Sequence, residues 1–215
     1  MSVRRAILIG AGGHAGVVAD ALAAVGTPVA GLVTPDATLH GTKRHGLHVL
    51  GDDDSILGFS PEEVVLVNAI GSVHDTTSRR NAYHRLKSRG YEFLTLVHPS
   101  AVLSPGARMG EGTQVLARGV VQFGAVLGEN CLINTGAIIE HDCLLGCDVH
   151  VATGAILCGN VKVGDGVHVG AGAVVIQGLS LGPGCTIGGG AAVTRDVPPN
   201  VTVAGVPARE VASNG

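Results

Sequence analysis

A six-residue repeat runs without a break from Ala101 to Asp196, in sixteen consecutive units. The third residue of every unit is aliphatic, and most first residues are small or apolar. In an extended segment these two positions point the same way, so both sets of side chains are predicted to face inward. Fifteen of the sixteen units end in Gly, Asn or Asp, which reach left-handed backbone angles cheaply, and only Arg118 departs. Such a repeat predicts a parallel β-helix.

A second period, of eighteen residues, lies on top of the first. Glycine recurs at this interval at five fourth positions of the repeat: Gly110, Gly128, Gly146, Gly164 and Gly182. Three units therefore form one coil, and residues eighteen apart stack in neighbouring coils at roughly the 4.7–4.9 Å spacing of paired strands. The period thus converts distance along the sequence into position on the folded chain.

The first hundred residues follow a different pattern. Arg5 to Ile9 predicts a short buried strand, the glycine-rich segment from Gly10 to Ala15 a loop, and Val17 to Val25 a helix. Further strands are predicted over Pro28–Val33, Val64–Ala69 and Phe93–Val97, and a further helix over the segment that holds Arg79, Arg80 and Arg85. This order is typical of an α/β unit of the dinucleotide-binding type.

The glycine-rich loop is a candidate phosphate-binding site, because backbone N–H groups and a helix N-terminus can approach a phosphate there. Gly12, Gly13 and His14 are its candidate substrate-binding residues, with Gly71 after the Val64–Ala69 strand. Asp36 follows the second strand, where an acidic side chain can accept hydrogen bonds from a ribose or a base. The unit lacks a second half, so a mononucleotide or nucleotide sugar fits better than NAD. A tight turn without a ligand is the alternative.

His141 occupies a fifth position, which is a coil corner, so its imidazole is predicted to project outward. Gly159 lies one coil later and leaves space above that ring, and its N–H is a candidate donor to a thioester carbonyl. A base beside an oxyanion donor is the pair that acyl transfer needs. Asp142 ends its unit and is equally explained as a turn former. The side chain of Asn134 is predicted to point outward, so Asn134 is either a substrate-binding residue or a solvated corner residue.

Composition restricts the class of protein. A net charge of −3 and only 2% aromatic residues argue against a nucleic-acid-binding surface. Polar residues and glycines interrupt every apolar run well short of the ~18 residues of a membrane span. The N-terminal apolar stretch ends in glycines and His14, which does not favour a secretory signal. The five cysteines are expected to be reduced, no metal site is expected, and the predicted location is the cytoplasm.

The region 101–210, including the tail from Val203 to Arg209, resembles the left-handed β-helix acyltransferases. With the junction from Thr95 to Ser100, the whole chain resembles the bacterial sugar acetyltransferases that include sialic-acid O-acetyltransferases and nucleotide-linked 4-amino-sugar N-acetyltransferases. The resemblance implies two domains. Residues 1–97 would form a Rossmann-like half domain that binds a nucleotide sugar, and residues 98–215 a left-handed parallel β-helix with a C-terminal tail.

The resemblance also implies roles for individual residues. His141 would be the general base and Asp142 the carboxylate that orients it. Acetyl-CoA would be the co-substrate, and the residues predicted to hold it are His150, Gly159, Ala171, Gly189 and Pro207. His150 and His168 lie eighteen residues apart at outward second positions and are predicted to form a column on one face.

Outward second positions in the repeat are unusually apolar, which predicts a partner surface. They include Val120, Val126, Leu132, Ile138, Leu144 and Ile156. Because relatives of this type are trimers, we expect a homotrimer in which His141 of one chain faces a cofactor held partly by the next. The predicted function is N-acetylation of the C4 amine of a nucleotide-linked 4-amino-4,6-dideoxy sugar for a surface glycan. The alternatives are O-acetylation of a sugar hydroxyl and a non-catalytic β-helix scaffold.

Overall fold

The computed structural model describes residues 4–73 and 75–213. The outer ends of the two predicted domains, residues 1–3 and 214–215, lie outside this part of the chain. An α/β unit comes first and a left-handed parallel β-helix follows, which confirms the predicted fold class.

The α/β unit contains one five-stranded sheet. Its elements are β1 (Arg5–Ile9), α1 (Gly13–Ala24), β2 (Val29–Val33), β3 (Lys43–Arg44), β4 (Leu47–Gly51), β5 (Val64–Asn68) and α2 (Thr77–Lys87), with short 3₁₀ helices at Ala37–Leu39 and Asp53–Gly58. The strand order is β3-β4-β2-β1-β5, and only the β3–β4 pair is antiparallel. The carboxyl ends of β1 and β5 therefore lie side by side at one edge, with the glycine-rich loop following β1.

Helices cover both faces of this sheet. On one face α1 packs Ala15, Val18 and Leu22 against Leu8 of β1. On the other face α2 packs Tyr83 and Leu86 against the opposite side of β1. Because consecutive strand residues point to opposite faces, the continuous apolar run of β1 is buried on both sides.

The structure corrects the predicted N-terminal elements in three places. Helix α1 begins at Gly13 rather than Val17, and strands β3 and β4 were not predicted. The third correction concerns the predicted strand Phe93–Val97, which does not form a strand of the α/β sheet. Phe93 forms only an isolated bridge to Leu66, whereas Leu96–Val97 pairs with the β-helix. The β-helix therefore begins inside the junction, just before the predicted boundary at residue 98.

The β-helix has three flat faces, each made of two-residue strands that pair in parallel with strands eighteen residues away. The covered face contains Leu96–Val97, Gln114–Val115, Leu132–Ile133, His150–Val151, His168–Val169, Thr186–Ile187 and Val201–Ala204, with antiparallel Arg209–Ser213 at its end. The apolar face contains Val102–Leu103, Val120–Val121, Ile138–Ile139, Ile156–Leu157, Val174–Val175 and Ala192–Val193. The mixed face contains Arg108–Met109, Val126–Leu127, Leu144–Leu145, Lys162–Val163 and Ser180–Leu181.

Three corners connect the faces in every coil. In the coil that begins at Leu132, the first corner (residues 134–137) joins the covered and apolar faces, the second (140–143) joins the apolar and mixed faces, and the third (146–149) returns to the covered face. Fourteen of the sixteen unit-ending residues adopt positive φ, including Arg118 at 58° and Asp142 at 59°, and the exceptions are Gly106 and Asp196. The predicted turn role of Gly, Asn and Asp therefore holds. Arg118 adopts the same left-handed backbone conformation, although this conformation is less favourable for arginine than for those residues.

The predicted core lies inside the coil. First and third residues of the units are buried in one continuous cluster, among them Cys131, Ile133, Ala137 and Ile139. The outward second position Leu132 is also fully buried, because it packs with Leu116 against α1 of the same chain. The predicted partner for the apolar outer wall is thus, at Leu132, the chain's own α/β unit.

Candidate active site

The predicted site residues divide into two groups at different corners of the β-helix. His141, Asp142 and Gly159 lie at second corners, whereas Asn134, Ala171 and Gly189 lie at first corners. The width of the apolar face separates the groups, which at roughly 3.3 Å per extended residue is about 15 Å. Within one chain, the two groups therefore do not converge.

His141 has the geometry of an oriented base. Its Nδ1 lies 3.0 Å from Oδ2 of Asp142, and both side chains are 62% exposed. The carboxylate accepts a hydrogen bond, so it favours the tautomer in which Nδ1 carries the proton and Nε2 holds a lone pair. Asp142 therefore combines its turn conformation with a contact that fixes the imidazole.

Gly159 leaves the space that His141 occupies. A Cβ built on Gly159 would lie 2.5 Å from Nε2 of His141, so no other residue type fits above the ring without moving it. Its φ is not in the left-handed region, so the backbone does not itself require glycine. The stacking predicted from the eighteen-residue period is confirmed, and the glycine is explained by close approach of the imidazole.

A pocket of about 450 Å³ lies where the α/β unit meets the β-helix. It is lined by Gly10, Gly12, Gly13 and His14 of the glycine-rich loop, by residues 69–73 after β5, and by Asn134 and His150. A Cβ on Gly12 or Gly13 would meet no atom within 4 Å, so both backbones face open space. Five of the six predicted substrate-binding residues, including Gly71, line this one pocket.

His14 is held as a neutral imidazole at the wall of this pocket. Burial, and then the positive charge of Arg79, lower its pKa from 6.5 to about 4. Its Cβ lies 3.3 Å from the point where Gly71 would carry a Cβ, and its Nε2 is buried without a hydrogen-bond partner in the described part of the chain. A neutral ring with a free nitrogen is suited to a hydrogen bond with a polar ligand.

His150 and His168 form the predicted column, but the α/β unit covers it. Their rings are 3% and 4% exposed, with centroids 4.9 Å apart. His150 Nδ1 lies 2.5 Å from Ser72 Oγ, and its Nε2 lies 3.2 Å from Asn134 Nδ2. Burial, followed by the charges of His168, Arg79 and His14, holds the pKa of His150 well below 6.5. His150 thus lies with the predicted substrate residues, away from Gly159.

The remaining predicted residues lie outside this pocket. Asp36 caps the Ala37–Leu39 turn and accepts hydrogen bonds from the Thr38 hydroxyl and N–H, which lower the pKa of its carboxyl. Its neighbour Pro35 lines a second pocket of about 440 Å³ that shares Gly10 and Ile70 with the first. Pro207 is exposed beside the last coil, where the N–H of Ala208 donates to Ala192 O.

Two residues that shape the pocket were missed by the sequence reasoning. Arg79 is 1% exposed and donates to the carbonyl oxygens of Asn68 and Ile70, at 2.8 and 3.2 Å, and to Asn130 O at 3.4 Å. It therefore joins the segment after β5 to the β-helix. Ser72 contacts His150 from the same segment. An arginine in a polar helix gives no sequence signal of burial, because helical arginines normally lie on a solvated face.

The site carries no candidate metal centre in the described residues, where no three His, Cys, Asp or Glu side chains converge. Cys143 faces the core while His141 lies outside it, as the repeat predicts. Within residues 4–73 and 75–213, no helix has both the length and the apolar character needed to cross a bilayer.

Comparisons with known proteins agree with this arrangement. Residues 5–86 match the PglD N-terminal domain family. A point mutant of perosamine N-acetyltransferase from Caulobacter crescentus, in complex with CoA and GDP-perosamine, is 35% identical over 99% of both chains, with a TM-score of 0.91. No curated protein sequence matches the chain.

Two further structures extend the likeness. The acetyltransferase domain of PglB from Neisseria gonorrhoeae is 38% identical over 97% of this chain and 100% of that chain, with a TM-score of 0.89. WeeI from Acinetobacter baumannii AYE is 26% identical over 97% and 100%, with a TM-score of 0.88. These alignments span both domains rather than the repeat alone. The chain therefore belongs to the hexapeptide-repeat sugar N-acetyltransferases, a family of acyltransferase enzymes.

Proposed function

We propose that the protein transfers the acetyl group of acetyl-CoA to the C4 amine of a nucleotide-linked 4-amino-4,6-dideoxy sugar, as a step in making a surface glycan such as an O-antigen. GDP-perosamine is the favoured acceptor, because a similar protein binds it together with CoA. The observation that carries the proposal is the His141–Asp142 pair, in which His141 Nε2 lies in the space left by the missing side chain of Gly159.

The chemistry follows from the geometry of that pair. The amine nitrogen attacks the thioester carbonyl, a C–N bond forms, the C–S bond breaks, and the CoA thiolate leaves. His141 Nε2 takes the proton that the amine loses, and Asp142 stabilises the resulting imidazolium. The N–H of Gly159 donates to no acceptor in the described chain and is the proposed donor to the developing oxyanion. The proton then passes to the departing thiolate.

The acceptor is proposed to bind at the pocket between the α/β unit and the β-helix. The open backbones of Gly12 and Gly13 at the start of α1 suit a pyrophosphate, which favours a helix N-terminus. His14, Gly71 and Asn134 line the part nearest the β-helix, where the sugar would lie. Asp36, beside the adjoining second pocket, is the proposed contact for the base or ribose.

Acetyl-CoA is proposed to bind along the outside of the later coils. Ala171 and Gly189 are stacked at first corners, where a Cβ on Gly189 would lie 3.4 Å from Ala171 O. Pro207 continues the proposed path beside the last coil. Gly159 would be contributed by the second corner of a neighbouring copy, and His150 lies in the pocket wall on the side proposed for the acetyl end. Small side chains along it leave room for the pantetheine arm.

A homotrimer with sites between subunits is part of the proposal. Both groups of site residues flank the apolar face, whose outward residues are all apolar: Val102, Val120, Ile138, Ile156, Val174 and Ala192. In a closed three-fold ring with this face at the axis, the first corner of one copy meets the second corner of the next. In this ring, His141 of one copy lies near Asn134 of the next copy, although the two residues are far apart within one chain.

The cytoplasm is the proposed compartment. The five cysteines are free, and Cys131, Cys143 and Cys185 are buried as single thiols in the core. Unpaired cysteines are typical of a reducing compartment.

The test is mass spectrometry of the products formed from acetyl-CoA and a panel of GDP- and UDP-linked amino sugars. We expect one acetylated nucleotide sugar, and a rate lower by about 10²–10⁴-fold in His141→Asn. Acetylation of a sugar hydroxyl instead would identify an O-acetyltransferase. Absence of any acetylated product from a folded protein would favour a scaffold and contradict the proposal.

A further inference from the structure

Arg118 and Phe123 are the two residues of the β-helix that depart most clearly from its rules. Arg118 ends its unit at φ 58°, where every other unit ends in Gly, Asn or Asp. Phe123 is 69% exposed, although Tyr83, Tyr91 and Phe93 are all buried. Departures from local preference in a regular repeat mark positions where another requirement dominates.

Neither side chain is explained by contacts within its own chain. The Arg118 backbone N–H donates to Ser100 Oγ, but its guanidinium makes no ion pair or hydrogen bond within the described residues. The Phe123 ring lies over Gly106, where a Cβ would come within 2.5 Å of Cδ2, and most of the residue is exposed. An arginine and an aromatic ring are both enriched at protein interfaces.

The fold places the two residues at matching positions. Arg118 lies at the first corner and Phe123 at the second corner of the same coil, with the apolar strand Val120–Val121 between them. Since five residues are less than a third of a coil, they differ in height by roughly 1–2 Å along the helix axis. The next coil repeats this arrangement with Asn134 and His141.

We propose that Arg118 of one copy stacks on Phe123 of the next copy, closing a three-fold ring one coil below the active site. The inference rests on the trimer in the proposed function and goes beyond it by naming the contact. In a closed ring with the apolar face at the axis, first and second corners meet at equal height, so each copy uses Arg118 on one side and Phe123 on the other. The guanidinium lies on the ring face, a favourable cation–π geometry.

This contact would also position the active site. Phe123 lies directly below His141 in the column of second corners, and Phe123 O accepts the N–H of Asp142 at 3.1 Å. Arg118 is one coil below residue 136 of the corner that holds Asn134. A contact at this level therefore sets the register between His141 of one copy and Asn134 of the other.

The sharpest test is cross-linking of co-expressed single variants with a short bismaleimide, because a stacked arginine and phenylalanine hold their Cα atoms further apart than a disulfide can bridge. Bismaleimide treatment of Arg118→Cys together with Phe123→Cys is expected to give a covalent dimer that neither variant gives alone. The double variant is expected to give species up to a covalent trimer and none larger. Gln177→Cys lies in the same column as Phe123 but three coils further on, so it is the control that should not cross-link with Arg118→Cys. The unaltered chain measures any background from its own cysteines.

A second measurement separates this contact from a substrate contact. Phe123→Ala and Arg118→Ala are each expected to weaken assembly by about tenfold per contact, and the double variant by no more than either alone. Because the acceptor pocket lies within one chain, acceptor KM should stay within about threefold when the enzyme is fully assembled, whereas loss of register between copies would lower kcat. An increased KM with unchanged assembly would assign Phe123 to the substrate and overturn the inference.

The two proposals can fail separately. A wild-type protein that is not a trimer by light scattering contradicts the proposed assembly itself. A trimer that gives no specific cross-link leaves the proposed function standing and overturns only the Arg118–Phe123 contact.

Discussion

At the scale of single residues, the site depends on how Gly159 and His141 share space. The glycine is needed because the imidazole lies where a Cβ would be, 2.5 Å from Nε2. The imidazole is thus positioned by the Asp142 carboxylate at Nδ1, and the missing side chain of Gly159 leaves room for Nε2.

Gly159→Ala is therefore expected to displace the imidazole and lower kcat/KM by about 100-fold, because a shift of roughly 1 Å in a reacting group has an effect of this size. Its backbone is compatible with alanine, so the melting temperature should change by no more than about 2 °C. Steady-state kinetics and thermal unfolding measure the two effects. Gly58→Ala is the control, since a Cβ there meets no atom within 4 Å. Full activity in Gly159→Ala would show that His141 does not need this position.

The buried histidines make stability depend on pH. His14 has a pKa of about 4 in the folded protein and about 6.5 when unfolded, and the pKa of His150 is shifted in the same direction. As the pH falls, the unfolded chain therefore binds protons before the folded chain does. The contribution of the neutral histidines to the unfolding free energy is complete above pH 6.5 and is lost towards pH 4. His14 alone should lower the unfolding free energy by about 2 kcal/mol between pH 7 and pH 5.

Urea unfolding at pH 7 and pH 5 measures this change. His14→Gln keeps a polar side chain but does not titrate, so its stability should fall less than that of the wild type over the same range. Equal losses in the two proteins would mean that His14 is not held neutral by its surroundings.

At the scale of the elements, the glycines at fourth positions let the coils stack. A Cβ on Gly128 would lie 2.6 Å from the backbone of Gly146 in the next coil, and Gly110 meets Gly128 in the same way. Backbone in a hydrogen-bonded β-helix has no room to retreat. The eighteen-residue glycine period is thus a packing requirement between coils.

Gly128→Ala is expected to destabilise the protein by about 3 kcal/mol, because the added methyl overpacks against backbone rather than against a flexible side chain. Chemical denaturation measures the loss. Gly58→Ala again serves as the matched control and should change stability by less than about 0.5 kcal/mol. An equally small effect of Gly128→Ala would mean that neighbouring coils can separate at this corner.

At the scale of the whole molecule, the proposed active site needs two chains. The pocket residues His14 and Asn134 belong to one group and His141 to the other, and the apolar face separates them. Subunit mixing can therefore restore activity between two inactive variants.

Co-expression of His141→Asn with His14→Ala is expected to recover about a third of the wild-type activity, since one of the three interfaces in every mixed trimer pairs an intact pocket with an intact base. Each variant alone should be far less active. The mixed sample is assayed after co-purification through two different tags. No recovery in verified mixed trimers would place the complete site within one chain.

Sequence reasoning predicted some parts of the site and not others. The pairing of His141 with Gly159 followed from the eighteen-residue spacing, and the glycine-rich loop followed from strand, loop and helix signals. The burial of His150 and His168 was not predicted, because their second positions face outward from the coil and only the docked α/β unit covers them. The burial of Arg79 was also missed, because it too depends on how the α/β unit packs against the β-helix.

The amino-acid sequence is enough to predict the β-helix, its register and the residues of its corners, because a periodic pattern repeats the same local interactions in every coil. It is also enough to predict an α/β unit before the helix. By contrast, the packing of the folded chain is what brings Asn134 and His150 to the glycine-rich loop and keeps the first-corner and second-corner groups apart. Those relations depend on how two unlike surfaces pack, through contacts such as Arg79 with Asn130 and Leu132 with α1, which no local spacing encodes.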